Sequence, residues 1–597
     1  MKNTIKLFNC LEVKNKNKKQ DSELMKETIK RGFIFDEVVI SSYSKQQLLD
    51  IIKEIGLTGE QMNSSFHKSW VKIKDASIEQ LVIEQLIHYF TTYGFESMGL
   101  SSNAYIPAEK LEIPELKENI NLKVIKGLTK EEIKKEFFKL TNIALKEETI
   151  KLMLETAIDL ELSVDEIDKI NNKELKISLY EYLNKVPNNP VEILRLAVYR
   201  ATETTLLIKS NSLINQIKEK QNINVVKLFQ GNEKKLAEIF YRFKPLFLAF
   251  KTNKKLKSTI NSIRKLAVKY HKPMPEDYLN TITSRDSVDL IKLEEELEKV
   301  NIFRKIRLAY ALNFRLNNPN SIIYRIRNGK SYATEFNGNT KIEVYDTVIK
   351  SIVNSLNVKG KKIYIPEYID YALPATEKQF TGNIPIGTSI NVSDDMIFGI
   401  YWDNVKYNRI DLDLSLIDNN GCKFGWDGSY RDENRNILFS GDMTDATNGA
   451  TELFYIKKAI DKNGILVVNY YNYSDVDVPF NIIIAKEKPS DFGSNYVVNP
   501  NNILALSEAV INQKQKVLGL VKNNKFYFAE TNIGNSISSD SYVGKYVRDY
   551  FINYYENAIS LNEVLIKAGA LITNKDNCDI DLSIENINKN TIIDLIS

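Results

Sequence analysis

In Ile410-Asp411-Leu412-Asp413-Leu414-Ser415-Leu416 apolar and polar residues alternate without a break. Successive side chains of a β-strand point to opposite faces, so this pattern specifies a strand with one buried face. Leu412, Leu414 and Leu416 take the core face, and Asp411, Asp413 and Ser415 the other. Two carboxylates at i and i+2 then share a face and repel, which makes most sense if a cation sits between them. An oxygen-rich cluster suits a hard ion such as calcium. The plain alternative is a polar sheet face flanked by acidic turns, since Asp and Asn are ordinary turn residues.

A chain of 597 residues is too long for one hydrophobic core, so a multidomain α+β protein is expected. Its net charge of +4 hides a strong polarity along the sequence. Arg242 to Lys330 holds 20 Lys and Arg against 8 Asp and Glu, whereas Asn391 to Ser490 holds 10 basic against 16 acidic residues. A basic middle and an acidic, strand-rich segment imply different partners. Cys10, Cys422 and Cys578 lie far apart and form no CxxC pair, which argues against a disulfide framework or a thiolate zinc site and for a reducing cytoplasm. No apolar run is long enough to span a membrane.

Read in order, residues 1–115 form a small α/β unit. It has a polar, frayed start to about residue 20, helices at 21–30, 44–56 and 77–93, a strand over Phe33-Ile34-Phe35-Asp36-Glu37-Val38-Val39-Ile40, and extended segments before Pro107 and Pro114. His67 and His88 read as structural. Residues 116–335 form an all-α, helical-repeat-like basic domain, a solenoid or bundle, with capping boxes at Thr129 to Glu132 and Ser163 to Glu166. In its last helix Arg304, Arg307 and Arg315 share one stripe opposite Ile302, Ile306 and Tyr310, and Arg325 and Arg327 share a face of the strand that follows. Arginines in such rows match phosphate, which makes nucleic acid a candidate partner. A solvated helix face with a charge-protected edge strand is the plainer explanation. Asn328-Gly329-Lys330-Ser331 is no phosphate loop, because Tyr324 stands where the motif needs glycine.

Residues 336–597 form a β-sandwich with appended helices and a C-terminal extension. A helix at 341–354 is followed by short strands at 362–366, 384–390, 397–402, 410–416, 464–473 and 480–485, then a hairpin of 516–521 with 525–530 about Asn523-Asn524. Helices at 540–558, 561–568 and 590–596 close the chain, with a strand at 570–573.

Trp402-Asp403, Asp411-Leu412-Asp413, Asp418-Asn419-Asn420-Gly421 and Ser440-Gly441-Asp442 occur in that order. The segment from about 385 to 490 resembles the tellurium-resistance TerD-like family of bacterial calcium-binding β-sandwiches, whose members show an aromatic-Asp pair, an Asp-Leu-Asp strand, a turn and a Gly-Asp loop followed by acids. The resemblance implies calcium held by Asp403, Asp411, Asp413 and Asp442, with Asp445, Asn448 and Glu452 as further candidates. The segment after Gly441-Asp442 carries fewer acids than the family pattern, which argues for one ion. With Tyr324 to Ser331 and Asp579-Ile580-Asp581-Leu582-Ser583, the whole chain resembles a longer, uncharacterised bacterial group that joins a helical region to a TerD-like domain. This implies a setting of chemical stress or of phages and mobile elements.

An HExxH, GxSxG or zinc pattern is missing, and two carboxylates side by side on one strand flank no glycosidic bond. The sequence therefore points to a non-enzymatic, calcium-binding scaffold with an unknown protein partner. Second comes an RNA-binding helical scaffold, and third a structural component of a phage-type assembly.

Overall fold

The structure, a computed structural model, describes residues 2–14, 33–55, 77, 79, 123–219, 223–274, 277–285, 287–318, 321–327, 330–336, 340–392, 394–405, 408–418, 422–447, 449–458, 464–522, 524–532, 554–584 and 586–596. It is a mixture of helices and strands in which the C-terminal half carries most of the strands. The sequence-predicted helix at 21–30, nearly all of that at 77–93, most of that at 540–558, both extended prolyl segments, His67, His88 and Asn448 lie outside the described residues.

The N-terminal start is ordered rather than frayed. Lys2–Phe8 is a helix and Cys10–Glu12 a strand, with Ile5, Leu7, Cys10, Leu11 and Val13 buried. Three parallel strands pair in the order Cys10–Glu12, Lys123–Leu128, Phe33–Phe35, so the central strand comes from beyond residue 115. The strand expected over 33–40 stops at Phe35. Asp36 caps a helix, Glu37–Ser42, by accepting the Val39 N–H at 2.8 Å, and its second oxygen accepts from Gly127 N at 2.8 Å. A good N-cap here overrides the β-propensity of Val38-Val39-Ile40.

From Lys130 to Asn317 every described element is helical. The two capping boxes form as read from the sequence, at Thr129 with Glu132 and at Ser163 with Glu166. Lys134 adds an ion pair to Glu166 at 2.8 Å. Proline sits at the first position of Pro190–Thr202, where no intrahelical N–H is lost. The hairpin Ser321–Arg327 and Lys330–Phe336 follows, and then the helix Ile342–Ser355.

Two antiparallel sheets make up the strand-rich part. The larger has seven strands in the order Lys423–Gly425, Leu412–Asp418, Gly464–Tyr470, Gln515–Lys522, Lys525–Asn532, Ser389–Asn391, Ile369–Asp370. The smaller has five: Ile437–Phe439, Ala450–Lys458, Asp394–Trp402, Val478–Lys486, Ile503–Ile511. Their inner faces meet in an aromatic layer in which Phe398 stacks on Phe454 and reaches Phe526 of the opposing sheet, both with ring centroids 5.8 Å apart. Lys522 pairs with Lys525 across the expected hairpin, with Asn524 at φ +65° as its turn demands. Ala450–Lys458 and Ile503–Ile511 escaped the sequence reading. In the first, seven consecutive residues are buried, so no alternation marks it.

A short parallel sheet, Leu571–Ile572, Lys362–Tyr364 and Ile580–Asp581, and the helices Leu561–Lys567 and Lys589–Ile596 complete the fold. One continuous apolar core runs from the helical region (Phe137, Tyr180, Phe247) through the sandwich (Phe398, Phe454, Phe480) to Ile592 and Ile596. Glu377, fully buried, ties the three together. Its carboxylate accepts from Lys146 N at 2.8 Å, Thr149 Oγ1 at 2.7 Å and Lys589 Nζ at 2.5 Å. Among the described residues no helix is long and apolar enough to cross a membrane.

Candidate metal centre

Leu412–Asp418 is flanked on one side by Gly464–Tyr470 along its whole length, with Asp413 opposite Asn469. On its other side Lys423–Gly425 reaches only Ser415 to Ile417. The backbone from Asp411 to Leu414 therefore has an open edge. The chain fills it from the other sheet: after Ile437–Phe439, Ser440 stays on Ala450–Lys458 by donating its N–H to Leu453 O at 2.9 Å, and Gly441 then turns away at φ +124°. Only glycine suits that backbone, and a Cβ there would also lie 2.6 Å from Ser494 Oγ.

The turn carries Asp442 to Asp411 and Asp413. One carboxylate oxygen of each lies within 4.8 Å of the others. Asp411 is 8% and Asp413 2% exposed, while Asp442 is open to solvent. Asp411 Oδ1 and Asp413 Oδ2 are buried and have no hydrogen-bond partner, as does Ser415 Oγ two residues further along the same face. Burial, reinforced by the charges of Asp411, Asp442 and Asp427, pushes the Asp413 carboxyl up to about 7 against a weak opposing pull from Lys423. Burial and Asp442 likewise raise Asp411, with Arg409 opposing.

Glu452, fully buried, holds the two halves of the site in register. Its Oε2 accepts the N–H of Leu414 at 2.6 Å and its Oε1 the N–H of Met443 at 2.9 Å, each the residue next to a member of the triad. Burial raises its carboxyl well above the usual range; those two backbone N–H groups oppose the rise, and Asp413 and Asp442 add to it. Arg409 clamps the acidic loop from outside by donating to Thr444 O at 2.6 Å and Thr444 Oγ1 at 2.7 Å. Asn472 spans the same end of the sheet, accepting from Asp411 N at 3.1 Å and donating to Arg409 O at 2.7 Å.

Tyr471 and Trp426, at the ends of the strands on either side of Leu412–Asp418, meet edge to face with centroids 5.5 Å apart. Tyr471 shares the outer face with Asp411, to whose carbonyl its N–H donates at 3.0 Å. The two rings thus reach across the acid-bearing strand.

No family model matches the sequence, and no curated protein does. A solved structure described as "Crystal structure of unknown function protein SAV2460" is similar over 25% of this chain and 95% of its own, at 11% identity and a TM-score of 0.19. That likeness is too slight to carry any argument about fold or function.

The remaining sequence-derived candidates lie outside the triad. Asp403 Oδ2 accepts from Tyr401 Oη at 3.1 Å. Asp445 stabilises its own loop, accepting from Thr447 N at 3.0 Å, Thr447 Oγ1 at 2.7 Å and Asn404 Nδ2 at 3.2 Å, and the side-chain bonds lower its pKa. Neither falls within the converging triad, nor does Glu452. In the helix Ile302–Asn317, Arg304 is ion-paired with Asp277, Arg315 donates to Thr283 O, and Arg307 is exposed. Arg325 and Arg327 stand two apart on the strand Ser321–Arg327. Glu452 as a latch, Arg409 as a clamp and the Trp426–Tyr471 pair were not legible beforehand. Glu452 lies on a strand hidden by continuous burial, and the other three depend on loops that converge only in space.

Proposed function

We propose that the chain is a non-enzymatic, calcium-responsive binding or scaffold protein whose sandwich carries one ion between Asp411, Asp413 and Asp442. The observation that carries this reading is the pair of buried carboxylate oxygens, Asp411 Oδ1 and Asp413 Oδ2, that lack any hydrogen-bond partner. Buried charge without a partner is costly, and a cation is the partner that three mutually repelling carboxylates accept together. Calcium prefers six to eight oxygens and tolerates irregular geometry, so three carboxylates leave positions for carbonyls, water or a group from a protein partner at the exposed Asp442. Among the described residues one such triad forms, in keeping with one ion. The motif resemblance to TerD-like proteins extends the reading to a stress-related or phage-related setting.

Thermal unfolding with calcium and with chelator tests it. Calcium at about a hundred times its dissociation constant adds ~2.7 kcal/mol, a melting rise of a few degrees. The Asp411→Asn, Asp413→Asn double variant is expected to show no such rise. Equal melting of the wild type in calcium and in chelator would overturn the reading.

A further inference from the structure

We infer a second binding surface, for a nucleic-acid backbone, on the helical segment from Lys234 to Lys272. This stretch contains twelve Lys and Arg residues against a single acid, Glu238, with Glu233 immediately before it. It is distinct from the arginine rows of 304–327 and lies in a different region of the chain from the acid triad.

The fold gathers six of these charges about one helix. Along the helix Lys257–Tyr270, Thr259, Ile260, Ile263 and Ala267 are buried, and Lys257, Arg264, Lys265 and Lys269 stand on the exposed face at i, i+7, i+8 and i+12. Glu233–Ala237 packs against the same helix, placing Lys234 Nζ 5.0 Å and Lys269 Nζ 5.6 Å from the centroid of the Tyr270 ring. Two ammonium groups thus gather on one aromatic ring. Lys272 continues the face, its N–H donating to Glu238 O at 2.9 Å. Lys235, Lys244, Lys254 and Lys255 are exposed as well.

Glu238 is spent within the group, on Lys272 at 2.8 Å. Among the described residues no other ion pair involves the basic side chains of this stretch. A folded surface that is merely soluble mixes both signs, whereas a one-sign field of this density attracts a polyanion and releases its counterions. Phosphate backbones present evenly repeated charge to such a face, and the exposed ring of Tyr241, packed edge to face on His271, offers a base a surface to stack on. An anionic membrane would call for a continuous apolar stripe, and the exposed face of Lys257–Tyr270 offers only Val268, with Tyr241 and Leu248 exposed on other elements of the stretch.

Fluorescence anisotropy of the intact protein with labelled single-stranded RNA, single-stranded DNA and duplex DNA tests the inference, alongside sedimentation with anionic phospholipid vesicles. The expected result is oligonucleotide binding that weakens steeply between about 50 and 200 mM salt. The triple variant Arg264→Glu, Lys265→Glu, Lys269→Glu should weaken it more than ten-fold and flatten the log–log salt slope by about 2 for single strands. All three side chains are exposed, so the melting temperature of that variant should stay at the wild-type value, which separates lost binding from lost folding. Lack of oligonucleotide binding at low salt, binding that the variant leaves intact, or binding to vesicles alone would each overturn the inference. The comparison of RNA, DNA and duplex identifies the source of the phosphates.

Discussion

Asp413 decides the behaviour of the site at the scale of single residues. Its carboxyl titrates near 7 in the folded protein, against about 3.9 unfolded, so between these values the native state holds a proton that the unfolded chain releases. In calcium-free buffer this group's contribution to stability is therefore greatest at the acid end and declines as pH rises to about 7. Melting curves in chelator should show Asp413→Asn gaining on the wild type as pH rises through that window. A difference between the two that does not change with pH would contradict the assignment. Glu452 offers a second test. Glu452→Gln keeps one acceptor for Leu414 N or Met443 N but turns an amide N–H toward the other, an expected loss of about 1–3 kcal/mol in denaturant unfolding together with weaker calcium binding. Asp411 and Asp413 were legible from alternation alone, because period two leaves a strand no other option. Their burial was not. The outer face of their sheet is covered further along by Ile465, Val467, Val517 and Tyr555, a second small core supplied from distant parts of the chain.

Elements marked by capping boxes or helix-start prolines were read correctly, while two strands with tertiary causes and one locally capped helix were missed. Capping boxes, prolines at helix starts and the turn residue Asn524 act within a few residues, so the sequence states them directly. The strand Ala450–Lys458 is defined by neighbours on both sides and the edge strand Ile503–Ile511 by Val478–Lys486 on one, whereas the short helix at Glu37–Ser42 is set by one aspartate, a local cap that the sequence reading passed over. Asp36→Ala should cost about 1–2 kcal/mol, since it removes the cap and the link to Gly127 in the central strand. Circular dichroism with urea unfolding measures this, and a change below a few tenths would show the cap to be idle. Glu377 is the corresponding joint between larger elements. Glu377→Ala leaves Lys146 N, Thr149 Oγ1 and Lys589 Nζ without their acceptor, an expected loss of about 3 kcal/mol.

For the molecule as a whole, the composition already indicated a mixed fold with a basic and an acidic region, but not that they share a core. Tyr310 Oη donates to Leu373 O at 2.9 Å and Asn313 Nδ2 to Asn557 O at 2.6 Å, so the last helix of the basic region is bonded to the strand-rich part. With apolar packing continuous across that junction, calcium bound at the sandwich should delay loss of the helical signal as well as of tryptophan emission. The most direct measurement is crystallographic: anomalous density from crystals grown with calcium. The expected result is one ion among Asp411, Asp413 and Asp442, about 2.3–2.6 Å from their oxygens. A fully occupied calcium site elsewhere, with these three carboxylates contacting only water or one another, would contradict the proposed function.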